Sequence, residues 1–259
     1  MKIPAHICEF LNNYFDKILV VSVPRFTDRH ERVKETLQGL SFDFFWGADK
    51  QQLNMDDVKR NGIYDEEKTK ALNRHERPLN LGEVACSLSH RYLYEAMEKN
   101  GWEKVLVLED DVWPLTQNLQ YLPEAIKELP DTWELVYFGY LKHEKVTTSL
   151  YIKQWLYKLQ SLLGLMKWSY KMVGNLLPRK YSKHLKKAGF HDCTHAYAIT
   201  KKCASKLVPQ QVPISYRADD LLSDNVMKGK IQAFVTEPKF FDQENFHVEE
   251  LKSKIKEDQ

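Results

Sequence analysis

Two rhythms of apolar and polar residues alternate along this chain. Short unbroken apolar runs bounded by charge suit strands buried on both faces. Apolar residues returning every three or four positions suit helices. Ile18-Leu19-Val20-Val21-Ser22-Val23 reads as a first strand stopped by Pro24. Thr27 or Asp28 then caps a helix to about Leu37. Phe42 to Trp46 reads as a second strand, followed by a turn at Gly47-Ala48-Asp49-Lys50. Gln51 to Asn80 is polar and predicts short helices or a mobile loop. A long helix opens around Pro78 to Glu83 and stops at Asn100-Gly101.

Val105 to Leu108 is the next apolar run, and it leads straight into Glu109-Asp110-Asp111 before Val112-Trp113-Pro114 breaks the strand. Leu119 to Leu129 reads as a helix, Trp133 to Gly139 as a strand and Thr194 to Ile199 as another. Lys201 to Leu207 reads as a helix and Ile231 to Val235 as the last strand; the charged tail from Glu249 is predicted to fray. Strands alternating with helices predict an α/β fold with a mostly parallel central sheet flanked by helices. No internal repeat or Gly/Ser linker interrupts it, so residues 1–259 read as a single domain.

Composition changes this picture in one place. The 259 residues are 43% hydrophobic and 29% charged, with a net charge of only +2, which gives no general reason to expect nucleic acid as a partner. Residues 151–187, however, hold nine Lys or Arg and no Asp or Glu. Trp155, Leu156, Leu159, Leu162, Leu163, Met166 and Met172 fall at helical spacing among lysines there. The stretch at about 141–190 therefore reads as a basic helical insertion that either lies on an anionic membrane surface or packs on the body with its lysines outward. No apolar leader follows Met1 and no run approaches the ~20 apolar residues of a spanning helix, which predicts a cytoplasmic protein, with peripheral attachment to the inner membrane's cytoplasmic face as one option. Cys8, Cys86, Cys193 and Cys203 lack paired spacing and read as reduced thiols. A zinc set of His191, Cys193, His195 and Cys203 fits poorly, for want of a CxxC pair.

Candidate chemistry centres on the three acids. A run of carboxylates at the carboxyl end of a buried strand sits where open α/β sheets bind ligands. Alternation puts Glu109 and Asp111 on one face and Asp110 on the other. Such a set can hold a divalent cation and a hydroxylated ligand. Arg25, Arg29 and Arg32 stand near the end of the first strand, suited to an anion. His90 alone reads as a hydrogen-bonded core histidine. Asp219-Asp220 form a second acid pair after Pro213, read either as chemistry or as a helix cap.

These motifs together resemble glycosyltransferase family 25. The matching blocks are Val21-Ser22-Val23 with Thr27-Asp28-Arg29; Leu81-Gly82-Glu83-Val84-Ala85-Cys86-Ser87-Leu88-Ser89-His90; Leu106 to Asp111; and Thr194 to Ile199, with Asp219-Asp220 where that family carries further acids. Ser22, Lys50, Ala85 and Cys193 depart from its pattern, and Lys50, Ala85 and Cys193 replace glycines. The resemblance implies a GT-A-like fold and an inverting, metal-dependent transfer of a sugar, galactose foremost, from a UDP-sugar to a saccharide such as a bacterial surface glycolipid. It implies Mn²⁺ or Mg²⁺ at Asp111 with Asp110 sharing, and Glu109 near the donor's hydroxyls. Arg29, Asp49, Glu83, Ser89 and His90 are implied for the nucleotide sugar, and Asp219 or Asp220 as the base. His195 or His247 could complete the metal shell. The rival readings are a non-catalytic carbohydrate-binding relative and a membrane-surface scaffold of a glycan assembly complex.

Overall fold

A computed structural model describes residues 2–72 and 76–248. The tail from Glu249, predicted to fray, lies outside the described residues, as do residues 73–75. In chain order the strands are β1 (Lys17–Ser22), β2 (Asp43–Trp46), β3 (Lys104–Glu109), β4 (Val112–Pro114), β5 (Leu135–Leu141), β6 (Arg179–Lys180), β7 (Leu185–Lys187), β8 (Asp192–Thr200), β9 (Ala233–Thr236) and β10 (Phe241–Gln243). The α-helices are α1 (Ala5–Tyr14), α2 (Thr27–Thr36), α3 (Met55–Arg60), α4 (Glu66–Leu72), α5 (Leu81–Asn100), α6 (Leu122–Lys127), α7 (Thr148–Leu162), α8 (Tyr170–Gly174), α9 (Lys201–Leu207) and α10 (Ala218–Lys228).

Eight strands form one sheet in the order β2-β1-β3-β8-β5-β9-β7-β6. β1, β2, β3, β5, β9 and β6 run one way, and β8 and β7 run against them. This is the helix-flanked, mostly parallel sheet that the apolar runs predict. Those runs are buried on both faces. Ile18, Val20, Leu106 and Leu108 join one core with α1, α2 and α6. Leu19, Val105 and Val107 join the other, with α5, α9 and α10.

Reversal of β8 matters most for the site. It lies between β3 and β5 with Leu108 opposite Ala196, so its first residues arrive at the edge where β1, β2 and β3 end. Loops from both ends of the chain therefore meet at that edge.

Several local expectations change. Neither Thr27 nor Asp28 caps α2: its N-cap is Phe26, without a side-chain bond. Val112–Pro114 does more than break β3, because it forms β4 and pairs antiparallel with β10. The polar Gln51–Asn80 stretch contains the short helices α3 and α4. The basic insertion is helical in its first part, while β6 and β7 extend the sheet through β9. α1, with Ile7, Cys8 and Leu11 buried, carries a helical spacing that the pattern reading passed over. Among the described residues no set of three or more His, Cys, Asp or Glu is placed to hold a metal by itself, which removes the zinc set. His191 instead bonds Lys142 O and Gly189 N, and Cys203 is buried in α9.

Candidate active site

β3 ends at Glu109, and Asp110 and Asp111 form the turn into β4. Alternation separates the first two acids. Glu109 turns toward α5, with Oε1 3.7 Å from His90 Nε2 and accepting from Thr194 Oγ1 at 2.5 Å. Asp110 turns to α2, where Arg29 Nη1 donates to Oδ1 at 2.5 Å and Ser22 Oγ donates to Oδ2 at 2.5 Å. Both oxygens of Asp110 are thus engaged by protein, which makes it a latch between β1, β3 and α2.

Asp111 differs. Oδ2 accepts from Gln243 Nε2 at 3.2 Å, while Oδ1 is buried with no hydrogen-bond partner. Burial, together with the charges of Glu109 and Asp110, pushes its carboxyl up to about 7. Gln243 and the charge of Arg29 offset this only in part, so one oxygen of a buried carboxyl is left without a partner. His195 is also buried; burial lowers it to about 4, so it is neutral, and it packs against Gly139, where an added Cβ would lie 2.2 Å from Nε2. His247 stacks on Trp113 and contacts Asp242.

Arg29, Asp49, Ser89, His90, Glu109, Asp110 and Asp111 all line a single pocket at the carboxyl ends of β1 and β3. Several are already bonded. Asp49 accepts from Arg25 Nε at 2.9 and 3.1 Å and from Gln51 N. Ser89 Oγ donates to Ala85 O and accepts from Ala48 N. It fixes the turn after β2 against α5, where a Cβ on Gly47 would lie 2.2 Å away. His90 Nδ1 meets Tyr197 Oη at 2.8 Å, and Tyr94 Oη lies 3.0 Å beyond. Burial opposes ionisation of Glu109, but His90 and Thr194 outweigh it and hold the carboxyl below its ordinary value. Burial likewise opposes the charge on Arg29, yet Asp110 outweighs it and raises the guanidinium.

Glu83, Asp219 and Asp220 do not line this pocket. Glu83 closes a capping box with Asn80 and takes both Arg77 nitrogens, at 2.5 and 2.9 Å. Arg217 Nη1 stands 3.9 Å from it and Arg217 Nε donates to Asp220 at 2.7 Å, so this ionic chain ties the start of α5 to the start of α10. Asp219 accepts from Cys193 N at 3.2 Å and from Asp220 N at 2.8 Å. Burial, then the charge of Asp220, raises its carboxyl. Its charge is felt by Cys86, a pocket residue, and by Cys193, the neighbour of Thr194. Asp219 therefore sits against Cys193, the neighbour of the Thr194 that binds Glu109.

Gln243, Phe26, Lys50, Gly82 and Cys86 also line the pocket, and sequence reasoning gave them no role. Gln243 is 132 positions from Asp111, a pairing that no local pattern reveals. Cys193 carries φ +72°, a conformation glycine adopts freely and cysteine does not. Glycine is the residue the resembling family has there.

A model of glycosyltransferase family 25, described as an LPS biosynthesis protein family, matches residues 15–222. A glycosyltransferase 25 family member of Anopheles gambiae is 28% identical over 207 residues, covering 76% of this chain and 29% of that protein. Procollagen galactosyltransferase 1 of Danio rerio is 30% identical over 135 residues, 48% of this chain and 21% of that protein. A human protein named inactive glycosyltransferase 25 family member 3 is also 30% identical over 135 residues, 48% of this chain and 22% of its own length. The chain thus spans 21–29% of the length of these curated relatives.

Proposed function

This chain belongs to glycosyltransferase family 25, and from that premise we propose that it transfers a sugar, galactose foremost, from a UDP-sugar to a saccharide acceptor with inversion at the anomeric carbon. Asp111 carries the reading: one oxygen is buried without a partner and the carboxyl is pushed up to about 7. Asp111 is the residue that would hold a divalent cation there. Mn²⁺ or Mg²⁺ bound there would neutralise charge on the departing diphosphate.

The chain's own residues divide the remaining work. The pocket encloses ≈ 160 Å³, less than the roughly 300–1,000 Å³ of sites that surround a whole ligand. Part of the nucleotide sugar would therefore lie along the open mouth, beside Asp49, Arg25 and Lys50. Glu109, held ionised and fixed by Thr194, would accept hydrogen bonds from donor hydroxyls. Arg29 keeps a positive charge beside the acids and faces the same pocket. Asp219, with its raised carboxyl and two backbone donors, would act as the base. It would take the proton of the acceptor hydroxyl as that oxygen bonds the anomeric carbon and the bond to the diphosphate oxygen breaks. Asp220, bound to Arg217, orients the start of α10. The acceptor class follows the family's description, a surface lipopolysaccharide or a related glycan.

Purified protein with Mn²⁺ and an oligosaccharide acceptor should release UDP from UDP-galactose, and a donor panel should rank it above UDP-glucose and the N-acetylated sugars. If no member of that panel is bound or turned over, the assignment fails.

A further inference from the structure

α7 is built inside out. Tyr151, Ile152, Trp155, Leu156, Leu159, Leu162 and Leu163 are all exposed, and the helix has no buried residue. At 3.6 residues per turn these seven side chains fall within an arc of roughly 140°. The opposite side carries Leu150, Gln154, Tyr157 and Ser161, and this more polar side faces the body. Gln154 Nε2 donates to Val173 O at 2.8 Å and Ser161 Oγ donates to Trp168 O at 2.8 Å. Leu150 and Tyr157 pack on the cluster around Met172 and Phe190. A helix stabilised by its fold alone would turn the apolar stripe inward. This one holds it outward with specific hydrogen bonds.

We infer that α7 lies in the plane of an anionic lipid bilayer, with its apolar stripe among the acyl chains. The charge around the helix selects this occupant. Residues 151–187 hold nine Lys or Arg and no acid, and of these Lys153 and Lys158 lie on α7 and Lys171 on the neighbouring α8. Lys153 and Lys158, on α7 itself, sit over the rings of Tyr157 and Tyr170. Leu165, exposed beyond the helix, continues the apolar surface, and Lys167 nearby is paired with Glu76 at 2.8 Å. Lysines are drawn to an anionic surface, and Trp and Tyr favour the headgroup boundary. No helix among the described residues is long and apolar enough to cross a membrane, so the mode is interfacial.

Co-sedimentation of the full chain with vesicles tests this. Vesicles of phosphatidylcholine with about 30 mol% phosphatidylglycerol should pellet the protein, and pure phosphatidylcholine should pellet it far less. Leu156→Glu with Leu163→Glu should weaken binding roughly tenfold or more without lowering Tm, since both side chains are exposed. Lys153→Gln with Lys158→Gln should remove most of the preference for the anionic vesicles. The readout is binding, so it is separate from the sugar-transfer assignment. Absence of vesicle binding by the natural chain overturns the inference, as does undiminished binding by the Glu variant. A dimer in sedimentation velocity that the Glu variant splits, with no vesicle binding, would overturn it in favour of a second copy covering the stripe.

Discussion

Arg29 and Asp110, 81 positions apart, close an ion pair of 2.5 Å with side-chain exposures of only 10% and 8%. Ser22 completes the carboxylate from β1. Breaking such a pair strands a buried charge, which costs about 3–5 kcal/mol, whereas replacing both partners by apolar groups is far milder. Arg29→Met should therefore destabilise the protein strongly in urea unfolding, and Arg29→Met with Asp110→Leu should recover most of the loss. Equal destabilisation by the single and double variants would show that the pair does not anchor β3 to α2.

Asp111 should couple cation binding to pH. Its carboxyl is raised to about 7, so below that pH a cation must displace a proton and binding weakens by up to tenfold per pH unit. The Tm increase produced by Mn²⁺ should be larger at pH 8 than at pH 6. Asp111→Asn should abolish that increase and the metal-dependent turnover together. A Mn²⁺ shift that survives in Asp111→Asn would move the cation elsewhere.

Asp219 should trade stability for activity. Its folded carboxyl is raised above the unfolded value by burial and Asp220, so the folded state holds the proton more tightly. That contribution to stability is complete below the unfolded value and is lost as pH rises through the folded one. At neutral pH the ionised side chain therefore costs stability. Asp219→Asn should raise Tm at pH 7, with the gain vanishing in acid. As the base, its loss should lower kcat about 10²–10⁴-fold with little change in donor binding. The acid limb of the natural enzyme's rate profile should stand above the ordinary aspartate range.

Cys193 should prove strained. At φ +72° it occupies the left-handed region while its N–H holds Asp219. Relief of that strain is about 1–2 kcal/mol and the entropy of glycine returns about 0.5–1, so Cys193→Gly should stabilise by about 0.5–1 kcal/mol. Chemical denaturation of the two proteins would measure it, and a destabilised Cys193→Gly variant would contradict it.

Gly139 should tolerate no side chain. A Cβ there would lie 2.2 Å from His195 Nε2 and 2.8 Å from Phe241 O, between two register shifts of β5 on β8. Gly139→Ala should cost about 1–3 kcal/mol and loosen β10, which carries Gln243 to Asp111. Limited proteolysis near residue 241 would report the loosening.

By itself the sequence determined the α/β class, most strand positions and the acid cluster, because those depend on periodicity and on residue type over a few neighbouring positions. Alternation also separated Glu109 from Asp110 correctly, since a strand enforces it locally. Which acid is open and which is bound depended on partners far away: Arg29 for Asp110, Gln243 for Asp111, Cys193 for Asp219. Glu83 could be placed at a helix start, yet its capture by Arg77 could not be read locally. The same holds for α7. Its apolar stripe is plain in the sequence, but the direction it faces is set by Gln154 and Ser161 finding carbonyls on another segment. Short-range pattern is fixed by backbone geometry. Charge pairing and orientation are settled only when distant segments compete for the same few partners in three dimensions.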